Sequence, residues 1–256
     1  MLERTPLFAE SWNSAWRNRP VASLLEDRGT PFIILKNSFR YWAADPFIFN
    51  YNGELYIFAE LYDYIKRKGV IGYCKWNGVR FGRWKKVIEE DYHLSYPYIF
   101  EHDGDVYVMP ESGAKGDLHL YRAVAFPDKW EASTILRENV IFGDTTPFIW
   151  KQHKYALTYD VSDLEKYRLM LLDLQNSEND CVVQVGDIEL RRPAGKHFLY
   201  GGMHIRPAQN CKGDYGKGLL FYQYSVVHGL FSEKCIDMIS PQNLHYSRRI
   251  VLDGLH

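Results

Sequence analysis

Four carboxylates stand at related places in this 256-residue chain. Asp45 opens and Glu60 closes the stretch "DPFIFNYNGELYIFAE". Glu111 closes "YPYIFEHDGDVYVMPE", fifty-one residues further on, and Asp144 opens "DTTPFIW". Two carboxyl groups facing each other across a gap are what glycosidic chemistry requires. One protonates the leaving oxygen while the other activates water or attacks the anomeric carbon. Crowded like charges in a partly buried place push one pKa up, so one group can act as acid beside a neighbour that acts as base. Asp45, Glu60, Glu111 and Asp144 are therefore the candidate catalytic residues. His93, Tyr96, Asp160, Arg192, Arg206, Gln209 and His245 are candidates for holding a substrate around them.

What must bring these residues together is a repeat. Asp45 matches Tyr96, Pro46 matches Pro97, Gly53 matches Gly104, Tyr56 matches Tyr107 and Glu60 matches Glu111. Each copy reads as an apolar strand, a tight turn and an alternating apolar strand. "NYNG" and "EHDG" are hairpin signals, because Gly takes the positive φ that such a turn needs. A third copy, "DTTPFIWKQHKYALTYD", keeps Pro147-Phe148-Ile149 and Tyr155, with a turn that reads as two residues shorter. A fourth, "RPAGKHFLYGGMHIRPAQ", sets Gln209 seven residues after Gly202, the interval that separates Gly53 from Glu60 and Gly104 from Glu111. Two more strand-like runs follow each hairpin, so each unit of about 50 residues has the size of a four-stranded propeller blade.

Four units span about Tyr41 to Pro241. The flanking "FIILKN" and "NLHYSRRIVLDG" are each too short for a blade, and together they predict a fifth closed by both termini. The expected fold is all-β, a single five-bladed β-propeller domain over residues 1–256. In a blade the start of the first strand and the end of the second lie at the same face. Asp45 and Glu60, Tyr96 and Glu111, Asp144 and Asp160, and Arg192 and Gln209 are thus expected at one pole. His245 and Arg248 flank the closing strand, and His93 precedes the first strand of the second unit. Arg206 stands where the first copy has an aliphatic residue, so it is expected to pair with a neighbouring acid.

Composition narrows the class. Aromatic residues make up 16% of the chain, which favours pleated, half-buried surfaces; the flat faces of Tyr and Trp also suit the C–H side of a pyranose. A formal net charge of −1 gives no basic field for nucleic acid, and the run "YIKRKG" reads as a solvated turn. The start lacks the pattern of a signal peptide and there is no apolar run long enough for a transmembrane helix. Cys74, Cys181, Cys211 and Cys235 form no CxxC pair, so they read as reduced thiols of a cytoplasmic protein rather than a metal or redox site. No HExxH or GxSxG motif occurs, and "NCKGDYGKG" reads as a mobile loop above the pole rather than a phosphate loop. No metal and no cofactor are expected.

"AADPFIFNYNGELYIFAE" resembles the first-blade motif of glycoside hydrolase family 43, and that resemblance implies that Asp45 is the general base. The chain departs from the hydrolase pattern at Tyr96, where an acid would help. It departs again at "RPAG", where the hydrolases place the Glu-Gly-Pro of their general acid; Glu111 or Glu60 is then the candidate acid. A longer resemblance runs through "HLSYPYIFEHDGDVYVMPES", "DTTPFIW", "RRPAGKHF" and "RPAQNCKGDYG". These are similar to the propeller domain at the N-terminus of plant glucosamine inositolphosphorylceramide transferases and to its stand-alone bacterial homologues. The resemblance implies a carbohydrate-active propeller in the building of surface glycans or glycolipids. Its ligand would be a sugar, glycan or nucleotide sugar, and its partner a separate glycosyltransferase or formyltransferase. Two alternatives are a non-catalytic sugar-binding module and a glycoside hydrolase of the family 43 type.

Overall fold

The computed structural model describes residues 12–163, 167–185, 188–213 and 216–246. Among these residues, alternating apolar runs broken by tight turns give eighteen strands, and sixteen of them make four four-stranded antiparallel sheets. Blade one is β3 (Tyr41–Tyr51), β4 (Glu54–Asp63), β5 (Lys68–Lys75) and β6 (Lys85–Ile88). Blade two is β7 (Ser95–His102), β8 (Asp105–Glu111), β9 (Asp117–Ala125) and β10 (Lys129–Glu138). Blade three is β11 (Phe142–Trp150), β12 (His153–Asp160), β13 (Arg168–Asp173) and β14 (Cys181–Val185). Blade four is β15 (Phe198–Tyr200), β16 (Met203–Asn210), β17 (Gly218–Val227) and β18 (Leu230–Ile239). In each sheet the strands lie side by side in chain order. The leading strands of the first three blades pack on one another, β3 against β7 and β7 against β11.

The fifth blade does not form among the described residues. The N-terminal arm makes a two-stranded sheet of β1 (Ala15–Trp16) and β2 (Ile33–Ile34), and a single parallel bridge joins Phe32 to Tyr246. Most of the proposed closing strand, Arg248 included, lies outside the described residues. The arm instead spans the seam from blade four to blade one. Leu24 is buried with Ile205, Phe221 and Ile239, and Arg28 pairs with Asp237. At the other side Trp16 packs edge-on to Trp76 and Phe81, with ring centroids 5.0 and 5.2 Å away.

The third hairpin also departs from expectation. Its turn is as long as the others: Tyr51 pairs Glu54, His102 pairs Asp105 and Trp150 pairs His153, with two residues between each. Both turn residues have positive φ in all three, including Lys151 (47°) and Gln152 (70°), where there is no glycine. Pro147 therefore stands not at the place of Pro46 and Pro97 but two residues later in the strand; Thr145 holds that place.

With the turns aligned, the three leading strands share one irregularity. Register shifts fall between Ala44 and Phe47, between Ser95 and Tyr98, and between Gly143 and Thr146. In each, two residues of the leading strand oppose one of its partner, a β-bulge that bends the strand and re-aims a side chain. The first bulge residue is left-handed every time: Asp45 at φ 50°, Tyr96 at 45° and Asp144 at 50°. A left-handed Tyr is costly and persists only when its surroundings fix it. Pro46 and Pro97 fill the second bulge position, where no ladder donor is needed.

Candidate functional site

The bulges place Asp45, Tyr96 and Asp144 at equivalent points of three blades, and each bulge residue is latched to a neighbour. The Tyr96 N–H donates to Asp45 Oδ2 at 3.2 Å, and the Asp144 N–H donates to Glu111 Oε2 at 3.0 Å. A carboxylate of one blade thus holds the amide of the next. The buried Tyr96 hydroxyl lies 2.8 Å from Thr146 Oγ1 and accepts the Gly195 N–H at 2.6 Å, joining blades two, three and four. From the segment ahead of β15, Arg192 donates through Nε to Asp144 and reaches Glu111 Oε2 at 3.9 Å. Its guanidinium lies 5.5 Å from the centroid of Tyr159.

Glu60, Glu111, Tyr159 and Gln209 each sit seven residues after the second residue of their hairpin turn. Glu60 is only 5% exposed, and its Oε1 makes no hydrogen bond; His93 Nε2 lies 3.5 Å away. Burial raises the Glu60 pKa well above the ordinary carboxyl value, helped by the charges of Asp45, Glu111 and Asp144. Glu111 is pushed up to about 8 by burial and by Asp144, against the pull of Arg192. A quarter of its side-chain surface still meets solvent. Like-charged groups gathered in one place cannot all ionise, so Glu111 holds its proton near neutral pH and Glu60 is biased toward its protonated form.

His93 accepts the Gly69 N–H at Nδ1 (2.9 Å), which leaves the proton of the neutral ring on Nε2, toward Glu60. Burial lowers its pKa against the opposing charge of Asp45, so the neutral ring is the favoured form. Gly69 is required here. A Cβ at that position would collide with the Leu94 carbonyl oxygen and lie 2.5 Å from Glu60 Oε1 and 2.9 Å from His93 Cε1.

Other residues expected around the carboxylates are placed differently. Asp160 lies one residue beyond the position of Glu60 and Glu111 and is occupied locally. It accepts from Ser162 N (3.0 Å) and Ser162 Oγ (2.5 Å) and lies 3.4 Å from Arg168 Nε. Tyr159, paired with Gly143 across the bulge, holds the position, and Asp160 is only the nearest acid to it. Arg206 is fully buried and does pair with an acid: Glu233 receives its Nε (2.5 Å) and Nη2 (2.8 Å), and the Arg191 carbonyl its Nη1 (3.1 Å). The structure thus ties it into blade four rather than into the carboxylate group. His245 is exposed, and its carbonyl accepts the Phe32 N–H at the seam. Gln209 is fully buried, takes the Cys211 thiol at 3.1 Å and has no partner for Nε2. The loop after it lies partly outside the described residues.

Lys196 is a further residue of this region, outside the repeat pattern of the sequence. Its Nζ donates to the Ile99 carbonyl of blade two at 2.7 Å, over the rings of Tyr98 (5.2 Å) and Phe49 (5.9 Å). Burial lowers its pKa to about 8. Arg192, Gly195 and Lys196 thus carry the chain across from blade four onto blades two and three. The one signal in the sequence is the break of "RRPAGK" from the strand pattern of the other copies. All four cysteines are free, and among the described residues no cluster of three or more His, Cys, Asp or Glu side chains is arranged to hold a metal. Among those residues no helix is long and apolar enough to cross a membrane.

Comparison with known proteins places this arrangement. Residues 35–240 match the sequence model of the family described as glucosamine inositolphosphorylceramide transferase 1, N-terminal. The chain is 30% identical over 225 residues to glucosamine inositolphosphorylceramide transferase 1 of Arabidopsis thaliana, covering 80% of this chain and 28% of that protein. It is 27% identical over 193 residues to the protein of the same name in Oryza sativa subsp. indica, covering 71% and 26%. The chain therefore spans about a quarter of the length of the curated relatives it matches. Among solved structures, the catalytic domain of the Coprinopsis cinerea GH62 α-L-arabinofuranosidase superposes with a TM-score of 0.60 at 10% identity, over 88% of this chain and 80% of that one. The Cellvibrio cellulosa α-L-arabinanase complexed with arabinohexaose gives 0.56 at 12% identity, over 80% and 85%. These two share the propeller fold with the chain. The extent of the family match is decisive: the chain belongs to the family of the N-terminal region of glucosamine inositolphosphorylceramide transferase 1.

Proposed function

We propose that the chain is a carbohydrate-active propeller that binds a sugar or nucleotide sugar at the inter-blade carboxylates, acting on a glycosidic bond during glycolipid or surface-glycan assembly. The observation that carries this reading is the pair of acids, Glu60 and Glu111, driven to hold protons among carboxylates from three blades. Carboxyl groups whose surroundings push their pKa values apart divide the work of acid and base. Glu111 meets solvent and serves as the acid. As the bond from the anomeric carbon breaks, its proton goes to the leaving oxygen. Asp45, oriented by the Tyr96 amide, takes the proton of the incoming water or acceptor hydroxyl as the new bond forms. Arg192 holds an anionic part of the ligand. The family and the structural neighbours, described in each case as sugar-handling proteins, support the same class.

A second reading is a sugar-binding module that serves a transferase elsewhere. It is favoured by the engagement of Asp45, Glu111 and Asp144 in bonds between blades. One experiment separates the two. Nucleotide sugars and glycan fragments are screened for a rise in melting temperature, and each hit is then incubated with the protein and analysed by mass spectrometry. The catalytic reading expects a product whose formation falls about 10²- to 10⁴-fold in Asp45→Asn and Glu111→Gln while binding persists. Binding without product supports the module. If no sugar shifts the melting temperature, both readings fail.

A further inference from the structure

Beside Glu60, on the blade-one side of the carboxylates, two aromatic rings lie face to face. Trp42 on β3 and Tyr62 on β4 are cross-strand partners, stacked with centroids 4.8 Å apart and planes 13° from parallel. Each remains only half-buried. Tyr62 lies two residues after Glu60 on the same strand, hence on the same face of the sheet. The Tyr62 ring is 6.5 Å from that of His93, whose Nε2 is 3.5 Å from Glu60 Oε1. The series runs from an aromatic stack, whose rings cover each other on one side and leave only their outer faces for a ligand, through a half-open imidazole with its N–H outward from the Gly69 bond, to a buried carboxyl oxygen that has no hydrogen bond.

We propose that an outer face of the Trp42–Tyr62 stack forms the platform of a binding subsite for an uncharged hexopyranose ring, with His93 and Glu60 contacting its hydroxyls. This rests on the sugar-binding reading above and adds where the ring sits and of what kind it is. A pyranose has one face of axial C–H bonds and an equatorial rim of hydroxyls. The C–H face suits an aromatic surface, whose π cloud is negative, and the rim suits a short row of donors and acceptors at its edge. His93 Nε2–H is a donor, and Glu60 Oε1 is a buried acceptor that a ligand hydroxyl would satisfy. The carboxyl-lined side favours a ring that brings no negative charge of its own. A phosphate or carboxylate of a larger ligand belongs toward Arg192.

The test uses methyl β-glucopyranoside, methyl β-galactopyranoside and methyl N-acetyl-β-glucosaminide, with methyl β-glucuronide as the charged comparator. Saturation-transfer NMR on the unmodified chain is expected to show transfer strongest at the C–H protons of one ring face of at least one neutral glycoside, with the glucuronide bound more weakly. Titrations are expected to give affinity at least about tenfold lower in Trp42→Ala and only slightly lower in Trp42→Phe, which keeps a ring. Tyr62→Leu, which holds volume but removes the ring face, repeats the test if Trp42→Ala does not fold. Neutral glycosides that bind with even transfer around the ring, or with affinity unchanged in these variants, overturn the platform and leave the sugar-binding reading standing. If no glycoside binds while nucleotide sugars do raise the melting temperature, the platform alone falls. If neither binds, both fall.

Discussion

Glu111 offers a measurement on a single residue. Its carboxyl is pushed up to about 8 in the folded chain, against an ordinary 4.5, so the folded state holds that proton more tightly than the unfolded one. Stability from this group is fully present below the unfolded value and is lost as pH rises through the folded value. Thermal stability of the wild type is therefore expected to fall between about pH 4.5 and pH 8. Glu60 is displaced in the same direction by the same kind of crowding. Glu111→Gln keeps an oxygen for the Asp144 amide and carries no charge at any pH. Melting curves over this range are expected to show a smaller fall for the variant, with its advantage over wild type greatest near pH 8. Parallel curves for the two proteins would show that Glu111 is ionised throughout. Asp45, Glu60 and Glu111 could be singled out in the sequence because their spacing repeats. The amides that hold Asp45 and Glu111 could not, since they belong to bulge residues of the following blade.

The leading hairpin is the element that carries the site, and its repeat was legible only in part. Asn52-Gly53 and Asp103-Gly104 announce two turns by glycine, which accepts positive φ at no steric cost. Lys151-Gln152 takes the same conformation without that signal. Aligned on Pro147 instead, the third copy reads two residues short, and Thr146 rather than Asp144 falls at the place of Asp45. Pro46 and Pro97 sit in the second position of a bulge, whereas Pro147 lies in the regular part of its strand, paired with Ala156. Non-glycine residues at positive φ cost about 1 kcal/mol each, which the blade bears at Lys151 and Gln152. Replacing the pair by Asn-Gly, as in blade one, is expected to stabilise the chain by about 1 kcal/mol in urea unfolding, with an unchanged m-value. No gain would mean that other contacts of Lys151 and Gln152 offset the strain of the turn.

At the scale of the whole molecule, four blades were legible and the closure was not. A count of short flanking strands suggested a fifth sheet, whereas the described residues show an arm clasping blade four with Leu24 and Arg28 and blade one with Trp16. Periodicity finds sheets; it carries no signal for a strap whose contacts are made one residue at a time. The clasp has an energetic signature. Leu24→Ala leaves a cavity against Ile205, Phe221 and Ile239 and is expected to cost about 2–5 kcal/mol; Trp16→Ala, at the far end, about 3–5 kcal/mol. Leu24 and Trp16 bury their side chains against different blades, so independent packing would make the two losses add to within about 0.5 kcal/mol. A strap behaves otherwise. Once one end is free, the other end no longer closes the ring and has less left to lose. The double variant, measured by urea unfolding, is therefore expected to fall short of the sum by 1 kcal/mol or more, as coupled sites do at roughly this magnitude. Strict additivity would reduce the arm to two separate patches of packing and leave the seam between blades four and one to be held by some other contact.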